Sequence, residues 1–434
     1  MTYGIDLGTT YSIIGAGDEL MSGLVSSNVD ISTKSQCERD FVGAHVVSGY
    51  KVDMTIGASG EVPMKCSTIV LKELAKRAES KTGEKVKDVI ISVPAKFSHT
   101  QRLAVIQAGK DAGLDVAAVI NEPTAAAIYA CLDKPGLYLV YDLGGGTFDV
   151  SIVSVDSSGA RVLCTDGIAT LAGNNFDRKV LDQLCTKFKV PFRYRTAVAV
   201  QDVLTDIQKA KEDFQKDGIP KEIGLEAFGM PGKYMLDSEQ YLSAMRVFEP
   251  TITMCKTLLA TLMGLDQPKL LFVGGSTACP YLRKWVAKEL QLEIVPSDIQ
   301  PDLLVAKGVA KYAWLKDQGY NIVQDVTKQL AIADRLGVAQ PVIYQDTPLP
   351  ATGEILLVNP ESCKVLEVDL YQGDDCIVSN NDYIGTLEFD YGEMVEEGAG
   401  VVNVSITVDT NGIVNLTGND LRTGNTQSIQ LRVR

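Results

Sequence analysis

Apolar residues recur at two different periods along this chain, and the change falls near Val323. Before it, short apolar runs alternate with stretches of helical period, which predicts an α/β domain. Residues 1–15 read as a β-hairpin around a glycine turn. Ile69, Val70, Leu71, Leu74 and Ala75 share one face of a helix over about 66–80. Lys87 to Val93 is a buried strand stopped by Pro94, and Ser98 caps a helix ending near Gly113. Val116 to Ile120 is a strand, a helix starts at Asn121 and runs through Leu132, and Leu137 to Tyr141 is the next strand. Phe148 to Val155 and Arg161 to Asp166 pair as a hairpin. Helices follow over about 175–188, 196–217 and 239–263, then the strand 270–273 and helices over about 281–290 and 302–316. Residues 20–62 show no clear period.

Past Val323 the helical period stops and alternating strands take over. Six are predicted: 354–358, 365–371, 384–389, 401–408, 413–416 and 428–433, with Asn411-Gly412 as a strong hairpin turn. Their number and spacing predict a separate antiparallel β-domain, a sandwich of roughly a hundred residues.

Two glycine-threonine loops interrupt the apolar runs of the first part. They are Gly4-Ile5-Asp6-Leu7-Gly8-Thr9-Thr10 and Asp142-Leu143-Gly144-Gly145-Gly146-Thr147-Phe148-Asp149; a third glycine turn, Gly274-Gly275-Ser276, follows the strand ending at Val273. Backbone N–H groups in such turns form a concave nest for phosphate oxygens, and the missing Cβ lets a ligand approach. Carboxylates beside phosphates repel them unless a cation lies between. Asp6, Asp142 and Asp149 therefore point to a hard divalent ion, Mg²⁺, held lightly and with several waters. The pattern lacks the Gly-Lys-Ser/Thr of a P-loop and does not open a helix as a dinucleotide-binding Gly-x-Gly-x-x-Gly does. The bland alternative is a set of ordinary Asp-Gly hairpin turns.

Composition narrows the class. The 434 residues exceed one ordinary core, so two or three domains are expected. A formal net charge of −14 argues against non-specific binding to nucleic acid or anionic membrane. No apolar run is long enough for a membrane span. Nine scattered cysteines, two histidines and no secretion signal make a zinc site unlikely and suggest a reducing, cytoplasmic setting. Cys363 and Cys376 read as packing residues rather than a disulfide. His45 and His99 read as surface or helix-cap residues.

The order of the motifs resembles that of the seventy-kilodalton heat-shock chaperone family over nearly the whole chain. The matching segments are the two hairpins, Ile120-Asn121-Glu122-Pro123-Thr124-Ala125-Ala126-Ala127, Val273 to Thr277, Gln300-Pro301-Asp302, Asp346 to Pro350, Tyr371-Gln372-Gly373, Asn381 to Leu387 and Asp409 to Ile413. Sugar kinases and actin-like filament proteins share the two-hairpin ATPase fold but lack the Asn-Glu-Pro-Thr stretch and the β-domain. The resemblance implies an actin-like, duplicated ribonuclease H-like α/β ATPase domain over 1–322. A linker and first strand follow over 323–335, then a β-sandwich peptide-binding-like domain over 336–434, ending without the family's helical lid.

The resemblance also assigns roles. Asp6, Asp142 and Asp149 fall at the metal-water and catalytic carboxylates, with Mg²⁺ held by Asp6 and Asp142 through water. Gly8, Thr9, Thr10, Tyr11, Gly144, Gly145, Gly146 and Thr147 fall at phosphate contacts, and Glu122 lies near the attacking water. Gly173, Gln208, Lys211, Gly274, Gly275, Ser276 and Asp302 fall at other nucleotide-contacting positions. Arg39 is the best local match to the family's lysine that reaches the γ-phosphate, with Lys34 the other candidate. Lys211 has the alternative reading of a solvated helix lysine.

Three departures stand out. Gln208 and Glu212 replace the charges that flank the adenosine-gripping lysine, and Ala278 replaces an arginine near adenine. The linker run Val326-Thr327-Lys328-Gln329 replaces the docking leucines, which predicts weak coupling between the domains. In the β-domain, Val338, Leu356, Leu366 and Val368 fall at the apolar peptide cleft, with plain sandwich core as the alternative. The expectation is an ATP/ADP- and Mg²⁺-binding chaperone that hydrolyses ATP and holds unfolded or extended polypeptide. Its clients could include viral or assembly proteins, as for compact relatives in filamentous plant viruses. The competing reading is a nucleotide-binding assembly protein with weak or no turnover.

Overall fold

A computed structural model describes residues 1–36, 46–47, 51, 61–156, 159–262, 264, 266–319, 328–334, 336–345, 347–410, 412–429 and 431–432. Its first part is built on two sheets with one plan. In the first sheet, Tyr3–Asp6 runs antiparallel to Tyr11–Ala16 and parallel to Asp88–Val93, beyond which lies Asp115–Asn121. In the second, Gly136–Leu143 runs antiparallel to Phe148–Asp156 and parallel to Lys269–Val273, with Gly159–Ile168 on the far side of the hairpin. A glycine loop joins the first two strands in each case. The repeated plan matches an internal duplication.

The helices Glu122–Cys131 and Leu304–Asp317 pack on each other between the two sheets. Their apolar core takes Ile90 and Ile120 from one sheet, Val140 and Val273 from the other, and Ile128 and Val309 from the helices. Burying such side chains stabilises by about 1.5–3 kcal/mol each. The helix axes come so close that a Cβ on Gly308 would fall on the Ala125 carbonyl, so this position requires glycine. This contact sets the spacing of the two glycine loops. Separate cores flank it, one under the first sheet and a larger one under the second.

Local rules explain most helix ends. Ser98 and Gln101 form a reciprocal capping box at the start of His99–Asp111. The helix expected over 66–80 spans Glu61–Thr82, with Glu61 and Lys81 complementing its dipole. The single helix expected over 239–263 is divided into Ser238–Met245 and Glu249–Ala260 by the 3-10 turn Arg246–Phe248. Pro250 cannot donate to the preceding turn and its ring crowds that turn's carbonyls. Two short strands, Lys221–Gly224 and Lys233–Leu236, pair where no strand was expected. In the unread stretch after Leu20, Val29–Asp30 pairs with Ser35–Gln36 and Val46–Val47.

Residues 330–432 form two antiparallel sheets around one apolar core. One sheet holds Ala339–Ile343, Leu330–Ala333, Cys363–Gln372, Asp382–Val395 and Leu431–Arg432; the other holds Ala351–Val358, Val401–Val408, Val414–Asp420 and Thr426–Ile429. The strand Leu330–Ala333 lies in the stretch expected to hold the linker and first strand, and Ala339–Ile343 is an addition to those read from the sequence. Val401–Val408 alternates strictly between core and surface. Gly412 turns at φ +76°, and Asp409 closes that hairpin by accepting from the Ile413 N–H. Asn411 and linker residues 323–327 lie outside the described residues.

Candidate functional site

The two glycine loops meet across a cavity of about 880 Å³. A Cβ on Gly145 would lie 2.5 Å from Thr10 Oγ1, and one on Gly146 would lie 3.1 Å from Thr9 Cγ2. Only bare backbone fits between the facing threonines. The first loop is braced by Ser12, whose Oγ accepts from the Gly8 N–H at 3.1 Å, and by Ser27, which donates to the Gly8 carbonyl. The second is closed by the Gly144 N–H donating to the Thr147 carbonyl at 3.1 Å. Ser276 ties the third turn to it by donating to the Gly144 carbonyl at 2.9 Å.

Of the seven carboxylates that border the cavity, Asp6, Glu122, Asp142 and Asp149 act on one another electrostatically. Asp142 and Asp149 sit directly opposite each other across their hairpin. Asp6 ends the first strand of the other sheet and accepts from Ser92 Oγ at 2.9 Å. Glu122 opens the helix that begins one residue after Asn121. Burial and repulsion by Glu122 push the carboxyls of Asp6 and Asp149 up to about 6. The same causes, joined by Asp149 and Asp6, hold Asp142 well above the usual carboxylate range. Lys51 opposes these shifts. It is buried and ion-paired with Glu122. The sequence had pointed to Arg39, which lies outside the described residues; Lys51 had no local signal at all. Lys34, the other candidate, does not border the cavity and sits at a turn with φ 53°.

The negative charge of this cluster exceeds what Lys51 and the nearby Lys96 can balance. Among the described residues no three carboxylate, histidine or cysteine side chains converge to grip an ion directly. Carboxylate oxygens with excess negative charge are a donor set that fits a hard cation such as Mg²⁺. A thermal consequence follows. With no cation bound, the raised carboxyls keep protons that the unfolded chain releases. Their contribution to stability is therefore present below the unfolded value of 3.8 and lost as pH rises through about 6. Mg²⁺ with ADP should raise the melting temperature by several degrees more at pH ~7.5 than at pH ~5, because the ion stabilises the deprotonated cluster. Equal shifts at both pH values in differential scanning fluorimetry would remove the cation from this site.

The base side departs from expectation. Lys211 borders the cavity but is buried, with Nζ 2.7 Å from Asp177 Oδ1 and 5.8 Å from the Phe176 ring centre. It is not a solvated helix lysine. Asp177 is fully buried, and the pair is an ion contact without an aligned hydrogen bond. Gln208 does not border the cavity; Glu212 and Gln215 do. On the helix Ala197–Asp217, positions 211, 212 and 215 share the inward face, and Gln208 lies a turn earlier. Gly173 is also absent from the wall. It supports the second loop from behind, its N–H donating to the Gly144 carbonyl at 3.0 Å. Arg283, a residue the sequence reading missed, borders the cavity beside Ala278 and donates from Nε to the Thr277 carbonyl at 2.6 Å. Its guanidinium lies 6.0 Å from the Phe272 ring centre. The remaining predicted residues, from Gly8 to Tyr11, Gly144 to Thr147, Gly274 to Ser276 and Asp302, all border the cavity.

The four residues expected to line a peptide cleft do not come together. Leu366 is in the core between the two sheets, and Val368 packs partly against it. Leu356 points to solvent because its neighbours Ile355 and Leu357 take the inward positions of the strand. Only Val338 lies in an exposed apolar group, bridged to Ile377 and near Leu336. The β-sheets also touch the nucleotide side. His99, buried rather than on the surface, accepts on Nδ1 from the Val414 N–H at 3.0 Å, and Gln372 accepts from the His99 N–H. The buried Arg102 packs on Gly412 and donates to Asn121 Oδ1 at 2.6 Å, next to Glu122. The linker is thus not the sole link between the two parts.

Among the described residues no helix is long and apolar enough to cross a membrane, and none of the eight described cysteines forms a disulfide. The family model described as Hsp70 protein matches residues 30–434, everything but the first strands and glycine loop. With the loops, the carboxylates and the two paired sheets in place, that match settles the kinship. The chain belongs to the Hsp70 family, and this membership implies an ATP-binding, chaperone-like protein.

Proposed function

We propose that this protein binds ATP or ADP with Mg²⁺ in the cavity between its two sheets, hydrolyses ATP slowly, and holds extended polypeptide on its C-terminal sheets. The reading takes residues 1–322 as an actin-like ATPase domain, 323–335 as linker and first strand, and 336–434 as a peptide-binding-like β-sandwich, resembling viral heat-shock homologues. It places the protein in the reducing cytoplasm. The observation that carries it is the group of partly buried carboxylates and the two glycine-threonine loops that border one cavity.

The residues divide the work as follows. Backbone N–H groups of Gly145 to Thr147 and the hydroxyls of Thr9, Thr10 and Thr147 cradle the phosphates. Lys51 supplies a fixed positive charge next to Glu122, where charge grows on the transferred phosphoryl group. Glu122 and Asp149 accept hydrogen bonds from the attacking water and orient it. Mg²⁺, held through water by Asp6 and Asp142, would neutralise phosphate charge. Arg283 takes the base-side place that Ala278 leaves empty. Leu336, Val338 and Ile377 give an apolar contact for an extended segment, whose main chain would add to a strand edge.

A second reading keeps binding and drops turnover: a nucleotide-stabilised assembly protein. The engagement of Lys211 by Asp177 favours it, since that charge is already spoken for. Single-turnover hydrolysis with Mg²⁺ separates the two. The wild type should convert bound ATP to ADP, and Asp142→Asn should do so about a hundredfold more slowly while keeping its fold. If neither protein hydrolyses and both bind ATP, the assembly reading stands.

A further inference from the structure

Charge is divided unevenly along this chain. Residues 323–434 carry six lysines and arginines against seventeen aspartates and glutamates, which is most of the net −14. The nucleotide-binding part, by contrast, has one strongly basic stretch. From Arg178 to Arg195 there are six lysines and arginines and one exposed acid, Asp182.

That stretch ends in an exposed aromatic turn. Residues 192–198 are all exposed, with Phe192 87% and Val198 71% accessible. The turn is rigid. The Arg195 guanidinium donates twice to the Val190 carbonyl, the Tyr194 N–H donates to the Pro191 carbonyl, and the Arg193 guanidinium stacks 5.0 Å from the Tyr194 ring centre. Thr196 then caps the next helix. Nothing in the nucleotide site uses this surface. A large apolar side chain held out among arginines has the composition of a protein-binding hot spot.

The opposite surface exists on the same molecule. The strand Asp382–Val395 ends in Glu393-Met394-Val395-Glu396-Glu397, with Met394 68% exposed among acids. This knob is rigid too. Asn359 donates to the Val395 and Glu396 carbonyls and accepts from the Gly400 N–H at 2.8 Å. Both surfaces are therefore ordered before contact, which lowers the entropy lost on binding. Methionine sulfur against an aromatic ring is itself favourable.

We propose that the basic Phe192 turn of one copy docks on the acidic Met394 knob of a second copy. The two surfaces differ, so the contact is head-to-tail. The pair keeps one free basic and one free acidic end, and association continues into open chains unless the rotation closes a ring. The inference stands on surface chemistry alone and is independent of whether ATP is turned over.

Sedimentation velocity tests it on the full chain. At about 50 mM salt the average mass should grow with concentration, and at about 500 mM it should return to the 46.8 kDa monomer. The double variant Phe192→Ala with Arg193→Glu should stay monomeric at low salt, as should Met394→Ala with Glu396→Lys and Glu397→Lys. All these side chains are exposed, so unfolding midpoints should match the wild type. Mixed together, the two variants retain one good surface each and should form pairs of twice the monomer mass and nothing larger. A wild type that stays monomeric, a variant that assembles like the wild type, or a mixture without pairs overturns the proposal. So does a monomeric wild type that binds a labelled oligouridylate through Phe192 and Arg193, which would make the basic turn an RNA site.

Discussion

Lys51→Met should be the most damaging single change in the nucleotide cleft. It removes the buried partner of Glu122 and leaves four carboxylates facing one another with Lys96 as the remaining nearby cation. Breaking a buried ion pair from one side destabilises by about 3–5 kcal/mol. Protonation of the cluster recovers part of that, so the loss should shrink at low pH. Turnover should fall by about a hundredfold or more, since a preorganised charge at the phosphates is lost. The double change Lys51→Met with Glu122→Gln separates the two effects. Removing both charges together should restore most of the stability and none of the turnover. Denaturant unfolding and single-turnover hydrolysis read the two quantities. A single variant that unfolds at the wild-type midpoint would refute the buried pair. One that hydrolyses ATP normally would refute the role of Lys51 at the phosphates.

That lysine marks the limit of what the chain's pattern discloses. The glycine loops were legible because each follows an apolar run and each puts small residues where only bare backbone fits, as Gly145 against Thr10 shows. The carboxylates beside them were legible for the same local reason. Lys51 sits in a stretch with no period, and it reaches Glu122, seventy-one residues away in sequence, through tertiary structure alone. Gln208 shares its helix face with 211, 212 and 215 but lies a turn short of the cavity, and a match of residue types does not say how far along a helix the cavity reaches. The cleft residues failed by parity. In a strand, a shift of one position exchanges inside for outside, so Leu356 faces solvent while Leu357 faces the core. The alternation itself was visible; which phase faced the core was not. The same holds for His99, whose role as an acceptor for the Val414 N–H depends on how the two parts of the molecule meet.

Lys211→Met tests the other half of the cleft. Asp177 is completely buried beside Phe176, and Lys211 is the cation that faces it. Without that charge the carboxylate must either protonate or remain ionised in an apolar wall, and the expected loss is again about 3–5 kcal/mol. Adding Asp177→Asn should recover most of it, because an amide needs no counter-charge. Nucleotide affinity of this rescued double variant then isolates what Lys211 does for the ligand. If its charge is committed to Asp177, Mg²⁺-ADP should bind within about threefold of wild type, under about 1 kcal/mol. Arg283→Ala should then weaken binding more than the double variant does, since Arg283 borders the same cavity and no carboxylate is paired with it among the described ion pairs. A loss of more than about thirtyfold in the stable double variant would mean that Lys211 turns from Asp177 to the nucleotide on binding. Calorimetric titration with ADP distinguishes the two outcomes. The first makes Asp177 and Lys211 a structural clamp behind a base site rebuilt around Arg283; the second makes their ion pair the resting state of a ligand contact.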